Sequence, residues 1–417
     1  MKFGLEGISK LLDPLGNPHF RFPSIHIAGT NGKGSTASMI AAIFTAAGYR
    51  TGLYTSPHLV SFRERIRIDG KPIPERDVVE VMSRLERAIR RQRPTFFEAT
   101  TALGFALLAE KDVDIAIIET GLGGRLDSTN VVQPIVSVIT TIGLEHTEIL
   151  GNTLEKIALE KAGIIKKRVP CVTGVDDRKP LGVIKRVCKE QGAPLVTLND
   201  LSATVRHESL KGSVFDLMVG KSRHKNLKIS LAGRFQIRNA ALAIATIEQV
   251  NKSAKFQLSE RSIRSGLSKI QELAGLTGRL SLIQQKPPVI LDVAHNPDGV
   301  IQLVAALRRL GIENPIIVFG VMKDKDHEAM VRRLEPIAVE VIAVAAQTER
   351  SRSASDVAAL FTKRGLRVSA ALSVSEGVRL AIQRSSQRMP ILVTGSHYVV
   401  GEALQYLATK KNLTITR

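Results

Sequence analysis

The stretch Ser24-Ile-His-Ile-Ala28, continued by Gly29-Thr-Asn-Gly-Lys-Gly-Ser35, decides how the rest of this 417-residue chain is read. A short apolar run, a turn rich in glycine and a helical pattern from Ser35 to Ala47 closed by Gly48 spell strand, loop and helix. In that setting Gly29, Gly32 and Gly34 let the backbone around Thr30 and Asn31 curl about an anion, and the helix N-terminus adds partial positive charge. Lys33 is then placed to reach terminal phosphates and Ser35 to face Mg2+. The string is not the standard P-loop: only Thr30 and Asn31 separate the first glycine from Gly32-Lys33, and Gly34 stands between Lys33 and Ser35. An ordinary glycine-rich turn is the alternative; the lysine and the flanking elements favour nucleotide binding.

Outward from this loop, short β-branched runs alternate with amphipathic stretches, the pattern of βαβ units and a mainly parallel sheet. Thr51 to Tyr54, Val113 to Glu119 and Ile135 to Ile142 read as strands, Thr100 to Glu110 and Leu154 to Ile165 as helices. Residues 195–232 alternate in shorter pieces and read as an antiparallel excursion, followed by helices over Ala240 to Val250 and Glu260 to Ile270. Leu273-Ala-Gly-Leu-Thr-Gly278 reads as a linker. Beyond it, Val289 to Val293, Ile316 to Phe319, Val341 to Val344, Val368 to Ala371 and Ile391 to Thr394 form a second βα series. The expected architecture is α/β: a P-loop-type domain with a mainly parallel sheet and a small antiparallel excursion over 1–272, a linker at 273–278, and a smaller Rossmann-like doubly wound domain over 279–417.

Composition agrees with a folded chain. Hydrophobic residues make up 44% and charged residues 24%, which excludes disordered, collagenous and membrane-spanning classes. Cys171 and Cys188 form neither a CxxC pair nor a Cys/His cluster, so no disulfide framework or zinc site is expected. The first residues meet Asp13 and Pro14 before any apolar core of a signal could form, and a cytoplasmic location is expected. The unusual quantity is charge: 59 Lys and Arg against 39 Asp and Glu give +20, spread along the chain. Nucleic acid, an anionic membrane or acidic small substrates would all suit it.

Several motifs lie in one order along nearly the whole chain: the glycine loop, Tyr54-Thr-Ser-Pro-His58, Ser61-Phe-Arg-Glu-Arg-Ile66, Glu119-Thr-Gly-Leu-Gly-Gly-Arg-Leu-Asp-Ser-Thr-Asn130, Gly143-Leu-Glu-His-Thr147, Glu160-Lys-Ala-Gly-Ile-Ile165, Asp292-Val-Ala-His-Asn-Pro297 and Thr394-Gly-Ser396. Together they resemble the folylpolyglutamate synthase and dihydrofolate synthase family of Mur-type ligases. The resemblance implies Mg2+ at Ser56, Glu119 and His146, and carbamylation of Lys161. It implies ATP contacts from the glycine loop, Asn239, Arg279 and Asp292, and acyl transfer served by Asp292 and His295. It also aligns Thr95, Phe96, Phe97 and Glu98, with Leu126, Asp127 and Ser128, to pterin-binding segments: the phenylalanines supply flat apolar surface and Asp127 a hydrogen-bond acceptor.

Each of these residues has a plainer reading. Glu119 ends an apolar run where an open parallel sheet places ligands, yet a strand-end carboxylate also caps a turn. His146 is a softer ligand than Mg2+ usually takes; Lys161 reads as a solvated helix lysine, Phe96 and Phe97 as core. Asn296 and Pro297 suit a helix N-cap and N1 beside a buried Asp292.

The resemblance implies an ATP-dependent amide ligase that adds L-glutamate to a folate, and also to dihydropteroate, through an acyl phosphate. Its partners would be these small molecules, with no nucleic acid or membrane, and a monomer is expected. Phe235 stands where the family often has histidine, Leu276 where it has tryptophan, and Glu145 where it has aspartate. A cell-wall Mur ligase and a basic nucleic-acid-binding ATPase are the rival readings. The Gly34 insertion argues against the first, and 4% aromatic content with no nucleic-acid motif against the second.

Overall fold

The computed structural model describes residues 4–410 apart from Asn199, Lys221, Ala254 and Gln387, so the ends of the two expected domains, at 1–3 and 411–417, lie outside the described residues. Its largest sheet joins β1 (Ser24–Ala28), β2 (Thr51–Tyr54), β3 (Ile66–Ile68), β4 (Lys71–Pro72), β5 (Ile115–Glu119), β6 (Val136–Ile139), β7 (Cys171–Thr173) and β8 (Leu195–Thr197) in the order β4-β3-β2-β5-β1-β6-β7-β8. The central strands β2, β5, β1, β6, β7 and β8 pair in parallel. β1, β5 and β6 are buried at every position, as continuous apolar runs covered by helices on both faces should be.

The helix Lys33–Ala46, which the glycine loop feeds, is itself almost wholly buried. It packs against helices Phe235–Val250 and Glu260–Ser268, and the core on that side extends to Phe215, Leu217 and Leu227 of a small antiparallel sheet. That sheet is β9 (Ser202–Ser209), β10 (Gly212–Val219) and β11 (Ser222–Ile229). The excursion read over 195–232 is therefore shorter than expected: Leu195–Thr197 extends the large sheet in parallel with β7. Three residues are too few for their alternation to disclose the direction of pairing.

The second sheet has the order β12-β13-β17-β14-β15-β16, from β12 (Ser281–Gln285), β13 (Pro288–Leu291), β14 (Ile316–Phe319), β15 (Glu340–Ala343), β16 (Val368–Ala370) and β17 (Ile391–Thr394). All pairs are parallel except β12 with β13. The βα reading begins at Val289 and misses β12, an edge strand whose Gln284 and Gln285 dilute its apolar pattern. The stretch read as a linker at 273–278 opens inside a helical turn, Ile270–Ala274, which Gly275 ends in the left-handed conformation.

Two other boundaries move for reasons that bear on the site. The helix expected from Thr100 starts at Phe96, because Thr95 and Glu98 form a capping box. The strand expected to reach Ile142 stops at Ile139, because the next residues leave the sheet to brace the glycine loop: the Thr140 hydroxyl donates to the Asn31 carbonyl (2.7 Å) and the Thr30 N–H to the Thr141 carbonyl (2.8 Å). Among the described residues no helix is long and apolar enough to cross a membrane.

The loop-bearing helix is held from behind by a close approach at Gly266. A Cβ there would stand 2.6 Å from Ile43 Cα and 2.7 Å from Ile43 N, both backbone. Gly266→Ala is therefore expected to push the two helices apart and cost about 1–3 kcal/mol, the usual range for overpacking. Thermal melting checks this; an unchanged midpoint would mean that the helix pair tolerates the wider spacing.

Candidate active site

In both sheets the loops at the carboxyl ends of the parallel strands carry the chemistry-bearing side chains, as open α/β sheets arrange them. From the large sheet come the glycine loop after β1, Ser56 after β2, Glu119 at the end of β5, and Glu145 and His146 after β6. From the second come Asp292 and His295 after β13, Lys325 after β14 and His397 after β17. Apart from Asp292, the two sets line one cavity of about 880 Å³. A second of about 420 Å³ meets it at Gly34, Ser56, Glu119, Arg279 and His397.

The glycine loop has a reason for its composition. Gly32 has φ +86°, and a Cβ there would lie 2.6 Å from Asn239 Oδ1, so left-handed backbone and close approach both require glycine. Asn239 thus backs the loop, its amide donating to Gln236 (2.9 Å), instead of lining the cavity. Lys33 folds over the loop, its ammonium donating to the Gly29 carbonyl (2.9 Å) and the Thr30 carbonyl (3.3 Å). Asn31 exchanges amide hydrogen bonds with Asn296 (3.1 and 3.4 Å), tying the loop to the first helix of the second sheet. Ser35, expected to face a metal, is buried in the first turn of the helix and lines neither cavity.

Opposite charges converge at Gly34. A Cβ built there would sit 3.5 Å from Glu119 Oε2 and 3.7 Å from an Arg279 terminal nitrogen. Burial pushes the Glu119 carboxyl upward, while Lys33, the Ser56 N–H (3.2 Å to Oε2), Arg279 and Arg65 pull it back. Burial likewise lowers Arg279 against the opposing charges of Asp292 and Glu119. Asp292 stands behind that arginine: its oxygens accept from the Leu280 N–H (2.8 Å) and the Ala294 N–H (2.9 Å), and it does not line the cavity.

Lys161 is buried, which removes the reading as a solvated lysine. Its amine donates to the Gly29 carbonyl (2.7 Å), and burial, with Lys33 nearby, brings its pKa down to about 7. His146 follows Glu145 in a left-handed backbone conformation (φ 50°). Its Nε2 lies 3.4 Å from the Lys325 amine, and burial together with that charge lowers it to about 4. Glu145 Oε1 accepts from Lys325 (3.0 Å) and His295 Nε2 (3.2 Å). Burial opposes its ionised form, but His295, Lys325 and Lys33 outweigh that and hold it well below the usual carboxylate range.

Among the described residues no three His, Cys, Asp or Glu side chains gather into a metal cage. Glu119 and Ser56 nonetheless suit Mg2+, which is usually held by one or two carboxylates plus substrate phosphates and keeps several waters. The buried Glu119 carboxylate, bonded to protein only through the Ser56 N–H among the described residues, is the donor this chemistry needs.

Thr95–Glu98 and Leu126–Ser128 line the same cavity. Phe96 is 64% exposed, with the Arg65 guanidinium 5.4 Å from its ring centroid, so it is not core. Phe97 packs partly buried near Tyr54. Glu98 is spent on its capping box, accepting from the Thr95 N–H (2.7 Å) and hydroxyl (2.8 Å). Asp127, expected as a free acceptor, takes four hydrogen bonds, from the Gly121, Leu122 and Thr129 N–H groups and the Thr129 hydroxyl; it closes the turn after β5.

Sequence reasoning assigned no role to Arg65, Lys325 or His397. Arg65 lay inside a quoted motif, and His397 follows Thr394-Gly-Ser396 directly. Lys325, in a run of alternating charges, carried no local signal at all.

The described geometry has relatives. Residues 27–247 match the Mur ligase middle domain, and residues 278–397 the Mur ligase, glutamate ligase domain. A dihydrofolate synthase/folylpolyglutamate synthase of Bacillus subtilis is 41% identical over 347 residues, 81% of this chain and 80% of the relative. A folylpolyglutamate synthase of Lacticaseibacillus casei is 37% identical over 78% of this chain and 77% of its own. The crystal structure of a Thermotoga maritima folylpolyglutamate synthase superposes with a TM-score of 0.86 at 38% identity, covering 98% of this chain and 94% of that one. E. coli FolC in complex with DHPP and ADP gives 0.88 at 29% identity, covering 99% and 94%.

Lys161 generates a pH prediction. Its folded pKa, lowered from 10.5 to about 7, means the folded state binds fewer protons than the unfolded one between those values, so stability rises with pH across that window. Lys161→Met is expected to melt above the wild type near about pH 6, where the burial cost is complete, and to lose that advantage toward about pH 10. A constant offset across the range would contradict the buried-amine reading.

Proposed function

The chain belongs to the Mur ligase family, within its folylpolyglutamate synthase and dihydrofolate synthase branch, and is an ATP-dependent ligase that joins glutamate to folates; from that premise we propose that it also glutamylates dihydropteroate and that both reactions pass through an acyl phosphate. The observation that carries this is the single cavity lined both by Lys33, Glu119, Lys161 and Arg279 and by Phe96 and Phe97. A substrate carboxylate held among the charged residues would meet the terminal phosphate of ATP, and a flat ring system would find its surface at the phenylalanines. The bifunctional reading draws support from the naming of the B. subtilis relative and from the DHPP bound to FolC.

In the proposed sequence, a carboxylate oxygen attacks the γ-phosphorus and ADP leaves; the amine of L-glutamate then attacks the acyl carbon and phosphate leaves. Ser56 and Glu119, with His146 beside them, would hold Mg2+, which when bound would supply neutralisation of phosphate charge. Lys33 and Arg279 offset the remaining charge from opposite sheets, with Asp292 fixing the arginine and Asn239 the loop. Because Arg279, His295 and Lys325 come from the second sheet, the site is complete only when the two halves meet, which also excludes water from the labile acyl phosphate. We take the division as 1–272, 273–278 and 279–417, and the enzyme as a cytoplasmic monomer acting on small molecules only. Two buried, unbridged cysteines suit a reducing compartment.

Lys161 is the expected site of carbamylation. Adding CO2 requires the unprotonated amine, and a buried lysine with a pKa of about 7 supplies it near neutrality. The product, an anion, would be drawn to the same cations that now repel the ammonium. A native mass spectrum at neutral pH is expected to show one CO2 more than the acidified protein, and Lys161→Arg to show none; identical masses would remove the modification.

ADP release with Mg-ATP and L-glutamate, comparing tetrahydrofolate, dihydropteroate and a UDP-muramyl peptide, tests the substrate. Turnover is expected with both pterins and not with the muramyl peptide; failure with both pterins would overturn the reading. Phe96→Ala is expected to raise KM for the pterin about tenfold, the equivalent of about 1.4 kcal/mol, and to leave KM for ATP unchanged.

A further inference from the structure

Amide formation needs a base. The α-amine of glutamate is an ammonium ion near neutral pH, without a lone pair, and one proton must leave before nitrogen can attack carbon. The acidic groups around the cavity are committed elsewhere. Glu98 and Asp127 are filled by hydrogen bonds from their own turns. Glu145 holds Lys325 and His295, and Glu160 holds Arg125 (2.8 Å). Glu119 is the proposed metal carboxylate. His295 is committed too: Nδ1 donates to the Val293 carbonyl (2.9 Å) and Nε2 to Glu145, so neither nitrogen offers a lone pair.

His397 differs from all of these. It opens the helix His397–Lys410 directly after β17, and lines both cavities where they meet beside Gly34, Ser56, Glu119 and Arg279. Its ring lies 5.0 Å, centroid to centroid, from that of His295. Among the described residues no hydrogen bond occupies its ring nitrogens, and it is only partly buried, its exposed part on the cavity. The charged groups facing it are His295 from the loop after β13, Arg279 from the segment before β12, Lys33 from the glycine loop and Glu145 from the loop after β6. Burial and the three cations keep the ring neutral, against Glu145. A neutral imidazole with no hydrogen bond on either nitrogen keeps a lone pair that can accept a proton.

We propose that His397 is the catalytic base of the ligation step, taking a proton from the α-ammonium of glutamate at the acyl phosphate. This deepens the ligase reading and rests on it. One proton passes from nitrogen to an imidazole nitrogen; the freed lone pair forms the N–C bond; the C–O bond to phosphate breaks with its electrons remaining on the phosphate. The second nitrogen proton goes to the departing phosphate, and the imidazolium returns its proton to solvent.

Hydroxylamine tests the proposal, because it is already uncharged near neutral pH and attacks acyl phosphates without help. With Mg-ATP and tetrahydrofolate, wild type is expected to form both hydroxamate (from hydroxylamine) and the glutamyl product. His397→Asn is expected to lose about 10²-fold or more in glutamate ligation while hydroxamate formation persists. Its ligation rate should climb with pH as free glutamate amine becomes available, where the wild-type rate is flat. His397→Gln should behave alike, so a folding defect in either variant is recognised by the other. Equal loss of both products in both variants, or ligation with the wild-type pH profile, would overturn the assignment. Wild type that makes neither product would refute the ligase reading itself, a different result.

Discussion

The cleft depends on one constraint: Lys33, Arg279 and Arg65 must be held around the buried carboxylate of Glu119, with Lys161 buried near Lys33, although these cations repel one another. Left to solution they would separate. What prevents it is the set of hydrogen bonds behind them, Lys33 on the glycine-loop carbonyls and Lys161 on Gly29, while the charge of Asp292 favours the buried Arg279. The energetic cost appears in the titration of the group itself, with Lys161 brought down to about 7 and Glu119 pushed upward by burial. A site that concentrates positive charge out of water is prepared for the triphosphate of ATP, and its cost is offset when that polyanion arrives.

Two sheets are needed to build such a place. The large one supplies the loop, the Glu119 carboxylate and the buried lysine; the second supplies Arg279, His295, Lys325 and His397. They meet through the Asn31–Asn296 amide pair and the Glu145–Lys325 ion pair, and through Ala232, Phe235 and Leu59, which pack against the cores of the second sheet. The polar pairs lie on the loops that carry the site, where substrates must enter and water must then be shut out. The +20 charge of the chain is mostly unrelated to this; the functional cations are few, and a basic surface at most steers polyanionic substrates.

The parallel strands were legible because each is a continuous apolar run, and the glycine loop because its composition has few other uses. Short or two-faced elements were not: β12 reads as polar, and Leu195–Thr197 is too short to reveal its partner. The capping box at Thr95 and Glu98 was present in the sequence, and recognising it would have placed Phe96 and Phe97 in the first helical turn. At the site, residue identity was legible but commitment was not. Asp127 and Asp292 look like available carboxylates until their backbone partners are seen. Lys161 looks solvated until burial is known, and His397 gains meaning only from every other acid and imidazole nearby being occupied.

The central claim is that this cleft activates a carboxylate as an acyl phosphate. Folate substrate labelled with oxygen-18 in the reacting carboxyl tests it most directly, by mass analysis of the inorganic phosphate released with Mg-ATP and L-glutamate. The account requires one labelled oxygen in phosphate for each amide formed, the other remaining in the amide carbonyl. Amide formed at full rate with no label in phosphate would contradict it.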